Sequence, residues 1–265
     1  MSGQGSRFSA KGYLLPKPLI PVSGKPMITQ VIRTLPPSDK WVFIVRKEHI
    51  ERYAIDRLIK KEVPHAIIVP DPEPRGQATT CMLALPYLEP EEPMFIAACD
   101  NSFLFNKERH GQLIATPGID AIVWTFTRHP SLSQKPESWG WVKLAPDGLE
   151  IEDMSVKVPV SPEPFNDHAV VATFYFRKSK DFKAACELMI REGYRINGEF
   201  YVDAMPIFYK KLGKKSVIFD VDLYVGWGKP EDLYLYEEWE YNTAMGTGAD
   251  RPEYPKWKAF IDSIR

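Results

Sequence analysis

WVFIVR (41–46), AIIVP (66–70), MFIAAC (94–99) and AIVWTFT (121–127) are the four runs on which the fold turns. Each is short, β-branched and apolar without alternation, the pattern of a strand buried on both faces. Their starts recur about every 26 residues, the length of a strand with its crossover helix. Helical patterns lie between them. In GKPMITQVIRTL (24–35) Met27, Val31 and Leu35 share one face, with Ile28 and Ile32 beside them, and Pro26 suits a first helical position. EHIERYAIDRLIKK (48–61) predicts a single helix after the first strand. The expectation is an α/β fold with a mixed, mostly parallel sheet covered by helices.

Past residue 135 the texture changes. WGWVKL (139–144), HAVVATFYF (168–176) and SVIFDVDLYV (216–225) read as strands separated by proline-rich loops, with a helix DFKAACELMIREGY (181–194) among them. No long polar linker divides the chain, so this half reads as an elaboration of the same sheet and residues 1–265 as a single domain. The tail ends in a short aromatic helix, KWKAFIDSI (256–264), expected to pack back on the body.

Composition narrows the function classes. The 265 residues are 44% hydrophobic and 26% charged, without the roughly 18 consecutive apolar residues of a membrane span. With 34 basic against 35 acidic side chains the net charge is −1, so nothing global attracts nucleic acid or an anionic membrane. The expected partners are small molecules, and a homo-oligomer is left open. Cys81, Cys99 and Cys186 lie far apart without a CxxC pair, and the start MSGQGSRF has no apolar signal-peptide core, so a reducing cytoplasm is the expected compartment. The five histidines show no metal-ligand spacing.

The densest chemical signal is at the start: Gly3-Gln4-Gly5-Ser6-Arg7-Phe8, Gly12-Tyr13, Pro16-Lys17-Pro18-Leu19-Ile20 and Gly24-Lys25-Pro26-Met27. Such glycines let backbone N–H groups approach a polyphosphate; Arg7 adds a planar charged fork and Lys17 a point charge. Neither the dinucleotide fingerprint nor a P-loop fits, because Phe8 stands where a third glycine is needed and Pro26 follows Gly24-Lys25.

These segments resemble the N-terminal signature of the sugar-phosphate nucleotidyltransferases, which include glucose-1-phosphate thymidylyltransferases and mannose-1-phosphate guanylyltransferases. The resemblance implies a three-layer Rossmann-like nucleotide-diphospho-sugar transferase fold and the reaction of an NTP with a sugar phosphate to an NDP-sugar and pyrophosphate, with Mg²⁺. It also implies roles for later segments. RGQA (75–78), with Gly76 and Gln77, matches the base-recognition loop, and Asp100 in MFIAACDNSF the metal-binding aspartate. Trp139-Gly140-Trp141-Val142 matches the sugar strand, Lys157 in SVKVP the cation for the incoming phosphate, and GWGKPEDL (226–233) the closing motif. Gly3, Gly5, Ser6, Arg7 and Lys17 would then cradle the triphosphate, Arg7 and Lys17 acting in catalysis.

Asp100 has a physical argument of its own. It closes an apolar run, and ligands of open α/β sheets sit outside the carboxyl ends of strands, where a carboxylate can hold Mg²⁺ against phosphates. The nucleophile is already an anion, so electrostatic stabilisation rather than a general base is the expected source of rate.

Several positions depart from the family pattern. Gly226 stands where a second metal-binding aspartate is usual, and Val156 where an acidic residue often precedes the lysine. Asp220 and Asp222 are expected upstream on the strand and face of Gly226, too far away to substitute. Glu199 and Asp203 in NGEFYVDAM are candidates for contacting a polyol or amine, and Trp141 or Trp227 could line the pocket, although their strands read as core. The family also opens with an apolar strand of about five residues, burial on the order of 10 kcal/mol, that has no counterpart here. Met1 is therefore expected to be internal to a longer chain or a misplaced start.

The leading reading is a nucleotidyltransferase supplying surface-polysaccharide precursors. Its rivals are a cytidylyltransferase for a phosphorylated alcohol or amino compound, a nucleotide-sugar-dependent glycosyltransferase and an idle nucleotide-binding regulator.

Overall fold

The computed structural model describes residues 6–72 and 76–265; Gly3, Gly5 and the Arg75 of RGQA lie outside the described residues, as does the side chain of Ser6. In chain order the elements are α1 (Ser6–Ser9), β1 (Pro21–Val22), β2 (Lys25–Pro26), α2 (Met27–Thr34), β3 (Val42–Arg46), α3 (Lys47–Tyr53), α4 (Ile55–Glu62), β4 (Ile67–Asp71), α5 (Gln77–Met82), β5 (Met94–Ala97), β6 (Asn101–Leu104) and α6 (Lys107–Ala115). There follow β7 (Ala121–Phe126), α7 (Pro130–Gln134), β8 (Gly140–Leu144), β9 (Ile151–Val156), β10 (His168–Phe176), α8 (Ser179–Arg191), α9 (Met205–Lys211), β11 (Ser216–Asp220), β12 (Leu223–Gly226), α10 (Pro230–Met245) and α11 (Tyr254–Ile264). All four runs of the opening reading are strands: β3, β4, β5 and β7.

These elements form two compact units. The first is drawn from Met1–Pro72, Ala98–Phe105 and Asp222–Arg265, the second from Glu73–Ala97 and Asn106–Val221.

In the first unit β3 and β4 pair in parallel and β12 runs antiparallel to β6. Ser23 and Gly24, both at positive φ (46° and 74°), make the two-residue turn between β1 and β2. Handedness of that kind matches strand twist, which is why Gly24 belongs to a hairpin and not to a phosphate loop. Lys25 donates from Nζ to the carbonyl of Arg265 at 2.9 Å, tying α11 down. Met27, Val31, Ile55, Ile59, Val225, Trp227, Phe260 and Ile261 are fully or almost fully buried in one core, so the aromatic tail packs back as expected.

The second unit carries a sheet in the order β11-β7-β10-β8-β9, with β5 also on β10. Strand β11 is parallel to β7, whereas β10 is antiparallel to β5, β7 and β8, and β8 to β9. Thus β5, β7, β8 and β11 share one direction and β9 and β10 oppose it: a mixed sheet in which β10, threaded among strands of the other sense, makes most hydrogen-bonded neighbours antiparallel. Every residue of β7 is buried, the environment that a continuous apolar run requires.

Three local expectations need correction. The helix over 48–61 is two, because Ala54 adopts a left-handed conformation (φ 49°) and donates its N–H to the carbonyl of Ile50. An unbroken helix would rotate Ile55 well off the face of Ile50; the break lets Ile55 and Ile59 become fully buried. Pro26 precedes α2 instead of opening it, since its extended backbone belongs to β2. The run over 216–225 is two strands in different units: Val221 N–H bonds the carbonyl of Thr125 and Asp222 N–H that of Leu104. Asp220 therefore does not lie on the strand of Gly226. Trp141 and Trp227 have no exposed surface and are core, as the strand pattern favours.

Candidate functional site

In the first unit, the segment leading into β1 and the segment after β5 bring Lys17 and Asp100 together. Lys17 opens a 3-10 turn, Lys17–Leu19, preset by the extended Pro16 and followed by buried Pro18. Its Nζ lies 2.5 Å from Asp100 Oδ2, with the two side chains only 21% and 22% exposed, which puts the pair beyond the screening of an ordinary surface ion pair. Burial alone would push Lys17 down and Asp100 up; mutual attraction outweighs it, leaving the ammonium above its ordinary value and the carboxyl below. The positive charge of Arg7, exposed on α1, acts on both.

The closing motif wraps this pair. Trp227 N–H donates to the carbonyl of Asp100 at 2.8 Å, and Gly226 is registered opposite Asn101 across β12 and β6. Trp227 is anchored against Tyr236 and Phe260, which fixes the backbone on either side of it. A Cβ on Gly228 would fall 2.9 Å from Asp100 Oδ2, so the missing side chain is what gives that carboxylate room. A Cβ on Gly226 would lie 3.4 Å from Asp232 Oδ2. The Tyr224 ring is nearer still, at 3.1 Å, and Asp232, in the first turn of α10, borders the same space. Burial raises it above the usual carboxylate range; Lys229 opposes this, and the negative charges of Glu231 and Asp100 add to it. Sequence reading passes over Asp232, because an acid in a first helical turn already has an ordinary role against the helix dipole. The only hint is glycine at both 226 and 228.

In the second unit, the loop leading into α5 is stitched to the 199–202 segment. Gly76 (φ 110°) has no room for a side chain: a Cβ would fall 2.7 Å from Phe200 N. Ala78 N–H bonds the carbonyl of Phe200 at 2.9 Å, and Gln77 Oε1 accepts from Val202 N–H at 3.2 Å. The amide oxygen of Gln77 is thus spent on the fold. Exposed Glu199 stands beside Gly76.

A second cluster of the same unit gathers Gly140, Lys157 and Asp203. A Cβ on Gly140 would sit 2.5 Å from Asp203 Oδ2. Lys157 follows β9 in a left-handed conformation (φ 67°), donates its N–H to the carbonyl of Trp139 and places Nζ 5.5 Å from the Tyr201 ring centroid. Burial pushes Asp203 up to about 6, with the charge of Lys157 pulling the other way.

Asp220 is engaged elsewhere in this unit: Oδ1 accepts from Thr125 at 2.6 Å and lies 2.9 Å from His168 Nδ1, and these contacts outweigh burial to hold it below the usual range. It does not join Asp222 as a metal-binding pair. Among the described residues no group of three or more His, Cys, Asp and Glu could by itself hold a metal ion, and no helix is long and apolar enough to cross a membrane.

Solved structures share this architecture. A nucleoside-diphosphate-sugar pyrophosphorylase from Vibrio cholerae RC9 superposes with a TM-score of 0.71 at 17% identity, over 88% of this chain and 96% of that one. The inositol-1-phosphate CTP transferase from T. maritima gives 0.69 at 15% identity, over 99% and 93%. A structure assigned as a glucose-1-phosphate thymidylyltransferase from Bacillus anthracis, in complex with a sucrose, gives 0.70 at 20% identity, over 88% and 89%. At such identities they define the class of fold, the Rossmann-like α/β fold of nucleotidyltransferases. No curated protein sequence matches. The chain belongs to the family of the MobA-like NTP transferase domain, whose profile matches residues 1–135.

Proposed function

We propose that the protein transfers a nucleotidyl group from an NTP to a sugar phosphate, releasing pyrophosphate and forming an NDP-sugar for surface-polysaccharide synthesis in the cytoplasm. The observation that carries this reading is the Lys17–Asp100 pair under the bare backbone of Gly228, the two charged residues lying within the stretch 1–135 that matches the family. A phosphate oxygen of the acceptor forms the new bond to the α-phosphorus, and the bond from that phosphorus to the bridging oxygen breaks.

Cations must offset the repulsion between the two anions. Lys17 serves the α-phosphate region and Arg7 the leaving pyrophosphate; Lys157 holds the acceptor phosphate. Loss of one preorganised group of this kind costs about 10²- to 10³-fold in turnover. The donor set also suits Mg²⁺, which favours carboxylate oxygens and keeps sites for water and substrate phosphates. Asp100 and Asp232 would hold it, the missing side chain at Gly228 leaving room on one side of Asp100 Oδ2 while Lys17 occupies the other. When bound, Mg²⁺ would neutralise phosphate charge.

The test is pyrophosphate release over four NTPs crossed with sugar phosphates, inositol 1-phosphate and phosphocholine. Release with a sugar phosphate is expected. No release with any pair, together with sugar transfer from an NDP-sugar, would overturn the reading in favour of a glycosyltransferase. Release only from CTP with a non-sugar phosphate would replace it by the cytidylyltransferase reading.

A further inference from the structure

The cluster of Gly140, Lys157 and Asp203 holds more chemistry than one cation for a phosphate. Gly140 is registered opposite Val156 across the antiparallel pair β8 and β9. Side chains of directly opposed residues leave a sheet on the same face, about 4.5–5.5 Å apart at Cβ. The direction in which Gly140 would project a Cβ is the direction of the Asp203 carboxylate, 2.5 Å from that position. Asp203, coming from another segment, thus delivers a carboxylate to the sheet face on which the apolar Val156 stands, and glycine at 140 is the condition for it.

The charges also fit one kind of ligand. Asp203 feels the charge of Lys157, and burial disfavours its ionised form, so a hydrogen-bond donor from the ligand would be its natural partner. A lysine can only donate and a carboxylate accepts. The adjoining groups they bind are therefore an anion and a donor. A phosphate with a hydroxyl on the neighbouring carbon supplies both; a quaternary ammonium has no hydrogen to give.

We infer that Asp203, over the bare backbone of Gly140, is the specificity-determining residue for the acceptor and selects a phosphate whose neighbouring carbon bears a hydroxyl, as in a sugar or cyclitol phosphate. This rests on the reading of the protein as a nucleotidyltransferase.

The experiment compares kcat/KM for glucose 1-phosphate and inositol 1-phosphate with that for their analogues lacking the adjacent hydroxyl, and for phosphocholine. The wild type is expected to favour the hydroxylated member by about 10- to 100-fold, the range for a hydrogen bond to a charged group. Asp203→Asn should erase most of that ratio, with thermal melts checking the fold. A carboxylate returned to the same face by Val156→Glu in the Asp203→Asn background should restore part of it. An unchanged ratio in Asp203→Asn, a wild-type preference for phosphocholine, or a ratio lost and not regained with Val156→Glu would overturn the inference while leaving the nucleotidyltransferase reading intact. Absence of pyrophosphate release from the wild type with every acceptor would overturn both.

Discussion

Asp100 is confined on two sides, by the Lys17 ammonium and by the backbone of Gly228, and its chemistry depends on both. Gly228→Ala would drive a methyl to 2.9 Å from Asp100 Oδ2, so either the carboxylate or the backbone must yield. The expected cost is about 1–3 kcal/mol of stability by urea unfolding, together with a fall in pyrophosphate release. Asp100→Asn keeps the shape and removes the charge. It should lower turnover by at least about 10²-fold and weaken Mn²⁺ binding followed by electron spin resonance; unaltered values of both would remove Asp100 from the mechanism. Asp100 and Lys17 were legible because several motifs, weak one by one, combine into one family resemblance, and because Asp100 also closes an apolar run. Asp232 and the Gly140 pairing with Asp203 were not, since each arises from segments distant in sequence meeting in space, and a glycine leaves no pattern that says which side chain fills its place.

Elements show where local rules lose to packing. Helical periodicity correctly locates the 48–61 region but not its break, because nothing in EHIERYAIDRLIKK is a conventional helix stop. The break is imposed by burial of Ile55 and Ile59, and Ala54 bears the strain of its left-handed backbone. Such a conformation costs a non-glycine residue roughly 1–2 kcal/mol, partly offset in glycine by greater unfolded-state freedom. Ala54→Gly is therefore expected to stabilise the protein by up to about 1 kcal/mol in urea titrations, and a loss of stability would show that the alanine methyl has packing of greater worth. The same logic explains SVIFDVDLYV: ten residues of β-type sequence cannot announce that successive N–H groups find carbonyls in different units.

For the molecule as a whole, the α/β class was readable from the spacing of buried runs, whereas the order of the strands and the reversed direction of β10 were not, because neither is carried by composition. Global stability should carry the mark of one residue that sequence motifs left without a role. His110 is buried among Trp124, Phe219 and Phe95, with ring centroids 4.7, 5.2 and 6.3 Å away, and burial lowers it to about 4. The folded state thus refuses a proton that the unfolded chain accepts near pH 6.5. Stability is complete above that value and falls as the pH drops towards 4, by on the order of 3 kcal/mol. Urea unfolding at pH 7.5 and pH 4.5 should reveal this slope, and His110→Phe should flatten it; equal slopes would assign the acid sensitivity to other groups.

The partition of the chain between the two units has a bearing on how the protein is made. Every segment of the second unit has been synthesised once Val221 has emerged from the ribosome, whereas the first still awaits Asp222–Arg265, which supply β12, the Gly228 cradle and the aromatic helix α11. During synthesis the half-finished first unit would expose Met27, Val31, Ile55 and Ile59 until Trp227, Phe260 and Ile261 arrive to cover them. The Asp100 carboxylate would likewise wait for its glycine, so the surroundings of the Lys17–Asp100 pair would be the last part of the first unit to take shape.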